Sequence, residues 1–221
     1  MKNLLNRLIE QLDALIPFLA LAHEKVFNLL QRDQGIWFFA GNQQNLPKVY
    51  ITYRKHIAHG AFLLGYGYSE AFLSDLIREI YMHNPHMLPD DKTLKFSELR
   101  KTKSHDDVLR IMIDKEIYAV FAQSMEDIAD YFSKKFSLKW PDAEKPRLVE
   151  ASLLRNCIIH NSAIADFRLT NATKNKYKEG YEIILEPSEV HSYGLVMRRV
   201  ARDLWKRATK AFLNNKTKKR K

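Results

Sequence analysis

The chain has 221 residues, of which 46% are hydrophobic, and a formal net charge of +10. This length suits one domain with short appendages, and the apolar content is enough for a buried core, which excludes a wholly disordered chain. Only 7 glycines and 7 prolines are present, which favours helices over a turn-rich β fold. The single cysteine, Cys157, excludes an internal disulfide framework, so we expect a reducing, cytoplasmic location.

The first half of the chain carries two helical patterns. Residues 2–31 have leucines and isoleucines at three- and four-residue spacing, which predicts an amphipathic helix that Pro17 kinks or divides. The stretch 35–50 is a predicted connection. Residues 48–83 are predicted to be helical, with an interruption at GYGYS, after which Ser69 caps a new helix.

Further helices are predicted in the middle of the chain. Asp106 or Asp107 should begin a helical region dense in apolar residues, which SLKWPDAEKP (137–146) ends. A helix over 146–161 follows, with Pro146 in its first turn.

The last part of the chain is predicted to contain both strand and helix. YEIIL (181–185) reads as a short strand that could pair with DFRL (166–169), and Ser188 is expected to cap a long final helix. These elements together predict an all-α bundle of five or six helices with a small irregular or two-stranded insertion near 166–186.

The predicted domain organisation is simple. Residues 1–213 should form a single α-helical domain, on which an N-terminal helical extension over 1–45 packs. Residues 214–221 should form a basic, disordered tail. No run of 18 apolar residues occurs, so no membrane span is expected.

Positive charge is concentrated at the C-terminus. No acidic residue follows Asp203, whereas eight basic residues do. The candidate RNA-binding residues of this tail are Lys216, Lys218, Lys219, Arg220 and Lys221. Such a tail could hold nucleic acid phosphates, or it could be a solvated end that aids solubility, and the sequence leaves both open.

The segment LLRNCIIHNS (153–162) places three polar side chains on an otherwise apolar helix. Asn156 and His160 are four residues apart and share one face, with Arg155 beside them. The same helix is expected to bury a different stripe, which holds Ala151 and Leu154. The polar trio therefore lies off the core stripe, near the helix C-terminus.

The spacing of Arg155 and His160 is not informative by itself, because the chain contains it four times. The other pairs are Arg54–His59, Arg78–His83 and Arg100–His105. Each of these lies in a densely polar segment, in a loop or at a helix end, so surface side chains are favoured there.

The segment ASLLRNCIIHNSAIAD resembles the R-x4-6-H segment of HEPN domains, most closely the RiboL-PSP-HEPN subfamily. YSEAFLSDLIREIYMHNP, KFSELRKTKSHDDVLRIMIDKEI and SMEDIADYFSKKF resemble the middle portion of that subfamily. The resemblance spans roughly residues 60–170.

The resemblance implies a helical bundle that dimerises and a metal-independent endoribonuclease that needs no cofactor. Two copies of the motif would meet at a two-fold axis and form a composite site. His160 would act as general acid or base, Arg155 would stabilise charge on the phosphorane, and Asn156 would orient phosphate or histidine. Attack by the RNA 2′-hydroxyl would leave a 2′,3′-cyclic phosphate.

The resemblance also suggests a biological role and partners. The expected role is a toxin or phage-defence effector that acts on RNA and is controlled by a cognate antitoxin or another regulatory protein. The alternative is a non-catalytic helical module that binds RNA or protein through the basic tail and the aromatic stretch Trp37–Phe39, for which core packing is otherwise favoured.

Three supporting residues are weaker candidates. In similar sequences an acidic residue at the position of Glu70 sometimes supports the site. Glu150, five residues before Arg155, could anchor that arginine in the same or the opposite chain, although a solvated carboxylate is favoured. Asn161 suits a helix end beside His160. The close histidine pairs, His56–His59 and His83–His86, lack cysteine or acidic partners, so surface histidines are favoured over a metal site.

Overall fold

The computed structural model describes residues 3–20, 46–90, 93–100 and 102–214. These ranges contain eight α-helices, six of them at least 12 residues long. They are α1 (Asn3–Ala20), α2 (Leu46–His83), α3 (Phe96–Leu99), α4 (His105–Phe121), α5 (Met125–Phe136), α6 (Lys145–His160), α7 (Phe167–Ala172) and α8 (Pro187–Ala208). The prediction of an all-α bundle is confirmed, and the short helices α3 and α7 raise the count above the predicted five or six.

Helix α2 lies at the centre of the bundle. Its 38 residues span about 57 Å at 1.5 Å per residue. It packs against α1, α4, α6 and α8. The α2 side chains that are at most 1% exposed are Ala58, Ala61, Phe62, Leu76, Ile77, Ile80 and Tyr81. Burial of so many apolar side chains on one helix makes α2 the largest single contributor to the described core.

The predicted interruption of this helix at GYGYS is wrong. Gly65 and Gly67 are helical, and the Ser69 hydroxyl donates to the Gly65 carbonyl at 2.9 Å from inside the helix. Ser69 is therefore not a cap. Gly65 has a packing role, because a Cβ there would lie 3.2 Å from a methyl group of Leu15 on α1.

Two capping boxes set the boundaries in the middle of the chain. The Ser104 hydroxyl accepts the Asp107 N–H at 3.1 Å, and the Asp107 carboxylate accepts the Ser104 N–H at 3.0 Å. Helix α4 therefore begins at His105, slightly before the predicted start. Ser124 and Asp127 repeat the arrangement at the start of α5, so the single helical region predicted after Asp107 is divided into two helices.

The predicted strand pair near 166–186 is not observed. Ala165 N–H donates to the Tyr181 carbonyl at 2.9 Å, and Ile183 N–H donates to the Ala163 carbonyl at 2.7 Å, around one isolated bridge. The segment 181–183 thus pairs with residues 163–165 rather than with 166–169. Asp166 explains the difference, since its carboxylate accepts the Leu169 N–H and starts α7.

The start of the final helix also differs from the prediction. Helix α8 begins at Pro187, and its N-cap is Glu186, whose N–H donates to the Glu189 carboxylate at 3.0 Å. Ser188 therefore lies within the first turn rather than at the cap. The inner side of the helix is buried, and Tyr193 packs edge-on against Phe62 of α2 at 5.3 Å between ring centroids.

Helix α1 packs on α2 and α8, and Pro17 lies within it without dividing its described length. The rest of the predicted 2–31 helix, most of the connection at 35–50 with Trp37, Phe38 and Phe39, and the basic tail residues 215–221 lie outside the described residues. In the described part, no helix is long and apolar enough to cross a membrane.

Because α2 runs without a break, Gly67→Ala should stabilise the protein by roughly 0.5–1 kcal/mol, since alanine loses less backbone entropy in a helix. Gly67 is exposed and a Cβ there would meet no atom within 4 Å. Urea unfolding followed by circular dichroism measures the change.

Gly180→Ala is the matched control for this substitution. Gly180 is equally open but has a φ of +79°, so alanine should cost about 1–2 kcal/mol there. A destabilised Gly67→Ala variant would mean that α2 is interrupted as the sequence pattern indicates.

Candidate active site

The C-terminal half of α6 carries the polar trio on a face that is separate from its buried face. Arg155 is partly exposed, and Asn156 and His160 are exposed. The side chains of α6 that lie in the core are Leu148, Ala151, Leu154 and Cys157. The predicted helix and its predicted core stripe are confirmed, so α6 holds the trio on a rigid, well-packed support.

The three side chains contact one another. Arg155 Nη1 donates to Asn156 Oδ1 at 2.9 Å and lies 3.4 Å from His160 Nε2. A guanidinium group can only donate, so this contact requires Nε2 to present its lone pair. Both contacts use Nη1, which leaves Arg155 Nε and Nη2 without a hydrogen bond within the described ranges. The cluster therefore combines unused cationic donors with an imidazole nitrogen that can accept a proton.

The other arginine–histidine pairs of equal spacing are arranged differently. Arg78 bridges Asp75 and Asp114 at 2.8 Å each, and His83 lies 2.9 Å from the Glu79 carbonyl.

In the pair Arg54–His59, each residue has its own partner. Arg54 pairs with Glu186. His59 is buried, contrary to the expected surface position, and its Nε2 lies 3.1 Å from the Ile183 carbonyl. Burial lowers the pKa of His59.

Arg100 and His105 are exposed on either side of the α3–α4 connection. Among the four pairs, all within the described ranges, only Arg155 and His160 touch each other. Tertiary structure thus separates one pair from three with the same sequence spacing.

Glu70 on α2, which the family resemblance implies as a supporting residue, interacts electrostatically with Arg155 on α6. Burial raises the pKa of Glu70, while the positive charge of Arg155 and a hydrogen bond from Tyr66 oppose that rise. Tyr66 is 4% exposed and also interacts with Ser152 on α6. Tyr66 and Ser152 were not predicted as site residues. Their interaction connects α2 to α6 three residues before Arg155.

Glu150 has a different role from the one considered in the sequence. The sequence favoured a solvated carboxylate, but Glu150 is only 8% exposed. Its carboxylate accepts hydrogen bonds from Arg147 and from the Tyr193 hydroxyl, each at 2.7 Å. Its described contacts include neither Arg155 nor His160, so within this chain Glu150 ties α6 to α8.

Asn161 closes the turn after His160. Its side-chain amide donates to the Ile164 carbonyl at 2.7 Å. Ser162 and Ala163 follow with positive φ values of 51° and 61°, and the Ala163 N–H donates to the Cys157 carbonyl at 3.0 Å. Asn161 therefore supports the site by ending α6 directly after His160.

Cys157 is buried, and burial raises the pKa of its thiol. This is unfavourable for a nucleophile, which reacts as the thiolate. No group of three or more histidine, cysteine, aspartate or glutamate side chains that could hold a metal ion occurs in the described part of the chain.

No protein-family model, curated protein or solved structure matches this chain. The chemistry of the cluster has to be inferred from its residues and their arrangement.

The raised pKa of Glu70 predicts a pH-dependent effect on stability. Its favourable contribution is present below the ordinary glutamate value of 4.5 and is lost as the pH rises through the higher folded pKa. Glu70→Gln cannot ionise, so the variant should gain stability relative to wild type between about pH 4 and about pH 7. Urea unfolding at both pH values measures this, with exposed Glu10→Gln on α1 as control. The same change in both variants would contradict the prediction.

Proposed function

We propose that this chain is a metal-independent endoribonuclease of the HEPN type, which cleaves RNA by attack of a 2′-hydroxyl on the adjacent phosphate. The observation that carries the proposal is the contact of Arg155 with both Asn156 and His160 on an open face of α6. These residues supply a proton-transfer group, a cationic donor and an amide within one cluster.

Each side chain has a role that its position supports. His160 Nε2 takes the proton of the attacking 2′-hydroxyl or delivers one to the leaving 5′-oxygen. Arg155 donates Nε and Nη2 to the phosphate oxygens, whose charge grows in the phosphorane. Asn156, whose Oδ1 is occupied by Arg155, keeps its amide N–H groups for the phosphate.

Glu70 and Tyr66, both on α2, interact with Arg155 from the neighbouring helix. The carboxyl of Glu70 interacts electrostatically with Arg155, and Tyr66 interacts with Glu70 and Ser152. Both are positioning residues, because they act on the phosphate through Arg155 and do not themselves transfer a proton.

A second copy of the chain would complete the site. Cyclisation requires one group to remove a proton and another to supply one, and a single cluster contains one histidine. Ile159 lies between the reactive residues and is 47% exposed, and Val149 and Leu153 on the same face are partly exposed. An apolar strip around a polar trio fits a two-fold contact in which each copy covers the strip of the other.

The proposed biological role is that of a toxin or phage-defence effector. RNA is the proposed substrate, and a cognate antitoxin or another regulatory protein is the proposed means of control.

Removal of either reactive side chain should abolish cleavage. His160→Ala should lower kcat by about 10²–10⁴-fold, and Arg155→Ala by about 10²–10³-fold, the usual ranges for a proton-transfer group and for a charge-stabilising donor. The assay uses single-stranded RNA and maps the product ends, which should carry 2′,3′-cyclic phosphates. An all-deoxy substrate should remain intact, and EDTA should not inhibit.

Arg100→Ala and His105→Ala are the matched controls, because they have the same spacing and are exposed but do not touch each other. Both should cleave like wild type. A purified wild type that binds RNA and never cuts it would favour the non-catalytic binding module instead.

A composite site in which one histidine removes a proton and the other supplies one predicts that an inactive copy disables its partner. When wild-type and His160→Ala proteins are mixed and allowed to exchange subunits, each mixed dimer contains only one His160 and should be inactive. Activity should therefore fall below the level expected from the number of wild-type copies present. Sedimentation of the mixture verifies exchange, and activity in proportion to the wild-type copies would contradict a site shared between copies.

A further inference from the structure

The segment that follows the candidate site is basic, with four cations and one carboxylate, Glu179, between residues 167 and 181. Between Asp166 and Glu179 there are four cations and no carboxylate side chain. We call residues 167–181, which comprise α7 and the turn after it, the α7 surface. Its cations are Arg168, Lys174, Lys176 and Lys178.

Three of these cations are available to a ligand. Arg168, Lys174 and Lys178 are exposed and form no ion pair with any described residue. Lys176 differs, since it pairs with Glu189 of α8 at 2.6 Å. The α7 surface therefore has one cation that anchors it and three that face solvent.

Two large aromatic side chains lie at the ends of this surface. Phe167 is 55% exposed and Tyr181 is 68% exposed. The guanidinium carbon of Arg168 lies 5.8 Å from the centre of the Phe167 ring. Exposed aromatic rings beside unpaired cations are the combination that binds single-stranded nucleic acid, because bases stack on the rings while the cations meet the phosphates.

The α7 surface is held in one conformation. Leu169 is fully buried and Tyr177 is 8% exposed, so both fasten the segment to the core. The turn after α7 is closed by the Asn175 N–H, which donates to the Thr170 carbonyl at 2.9 Å. A surface fixed in this way loses little conformational entropy when it binds a ligand.

The α7 surface begins against the last turn of α6, the turn that ends at His160. The chain leaves His160 and folds back on the last turn of α6, where the Asp166 N–H donates to the Cys157 sulfur. Phe167 is the next residue, so the α7 surface begins close to Cys157, which lies three residues before His160 in α6. An RNA strand with its phosphate at His160 can continue directly onto this surface.

We propose that the α7 surface binds the single-stranded RNA that flanks the cleaved phosphate, with bases stacked on Phe167 and Tyr181 and phosphates held by Arg168, Lys174 and Lys178. This inference rests on the proposed ribonuclease function and specifies its substrate as unpaired RNA. In a duplex the base faces are covered by their neighbours, so the two rings would have nothing to stack on.

The test measures binding in a His160→Ala background, which keeps the RNA intact. A fluorescein-labelled single-stranded 12-mer and a perfectly paired hairpin are titrated by anisotropy at several salt concentrations. Phe167→Ala should weaken single-strand binding about tenfold, in the range for one lost base stack. The triple variant Arg168→Ala, Lys174→Ala, Lys178→Ala should reduce the salt slope by about 2, at about 0.7 per phosphate contact.

The matched controls lie between residues 95 and 103, outside the α7 surface. Phe96→Ala removes a more exposed ring, and the triple variant Lys95→Ala, Arg100→Ala, Lys103→Ala removes the same charge. Both should bind within about twofold of the parent, and circular dichroism should show that every variant folds.

The possible outcomes separate the two proposals. If the wild type never cuts RNA but the α7 variants lose affinity, the ribonuclease proposal fails and the α7 surface stands. If the wild type cuts and the α7 variants bind like the parent, the surface does not bind RNA, and an acidic polypeptide becomes the better ligand for its charges. Equal losses in the α7 and control variants, or a parent that binds no single-stranded RNA, overturn the inference as well.

Discussion

The continuity of α2 is the constraint on which the rest of the structure depends. This helix packs against α1, α4, α6 and α8, and α5 joins the bundle through α4 and α6. Because the helix is unbroken, Tyr66 and Glu70 lie one turn apart on the same side and both reach towards α6. A break between residues 65 and 69 would rotate the two residues relative to each other and remove the support beneath Arg155. Gly65 serves packing rather than a turn, since it admits Leu15 of α1.

The end of α6 is the second determinant of the site. Ser162 and Ala163 both adopt left-handed backbone conformations, which cost about 1–2 kcal/mol each for residues with a side chain. The bonds from Ala163 to Cys157 and from Asn161 to Ile164 offset part of that cost. The two left-handed residues turn the chain away from the axis of α6 directly after His160. The imidazole is thereby left at an open helix end, where solvent, RNA or a second copy can approach it.

Buried and exposed polar groups have separate roles in this fold. Glu150, Arg147 and Tyr193 form a buried network that ties α6 to α8, and Lys176 extends it to the turn after α7. A buried carboxylate is tolerated there because its partners replace the water that it loses. The polar groups of the proposed chemistry lie instead on an exposed face near the C-terminal end of α6. The same scaffold that buries Glu150 thus orients both the reactive cluster and the α7 surface.

The sequence by itself determined the helical class, the position of α6 within one residue and the face on which Arg155, Asn156 and His160 lie, because these follow from a local period of 3.6 residues. It misplaced the break in α2 and the caps at Ser69 and Ser188, since glycine and serine carry the same local signal inside a helix as at its end. The spacing of the four arginine–histidine pairs did not separate them, although their sequence surroundings favoured Arg155 and His160. Only the tertiary structure decided that Glu150 is buried and that Tyr66 joins Glu70 to α6. The physical reason is that such contacts depend on how separate helices pack, and packing partners far apart in the chain leave no local pattern.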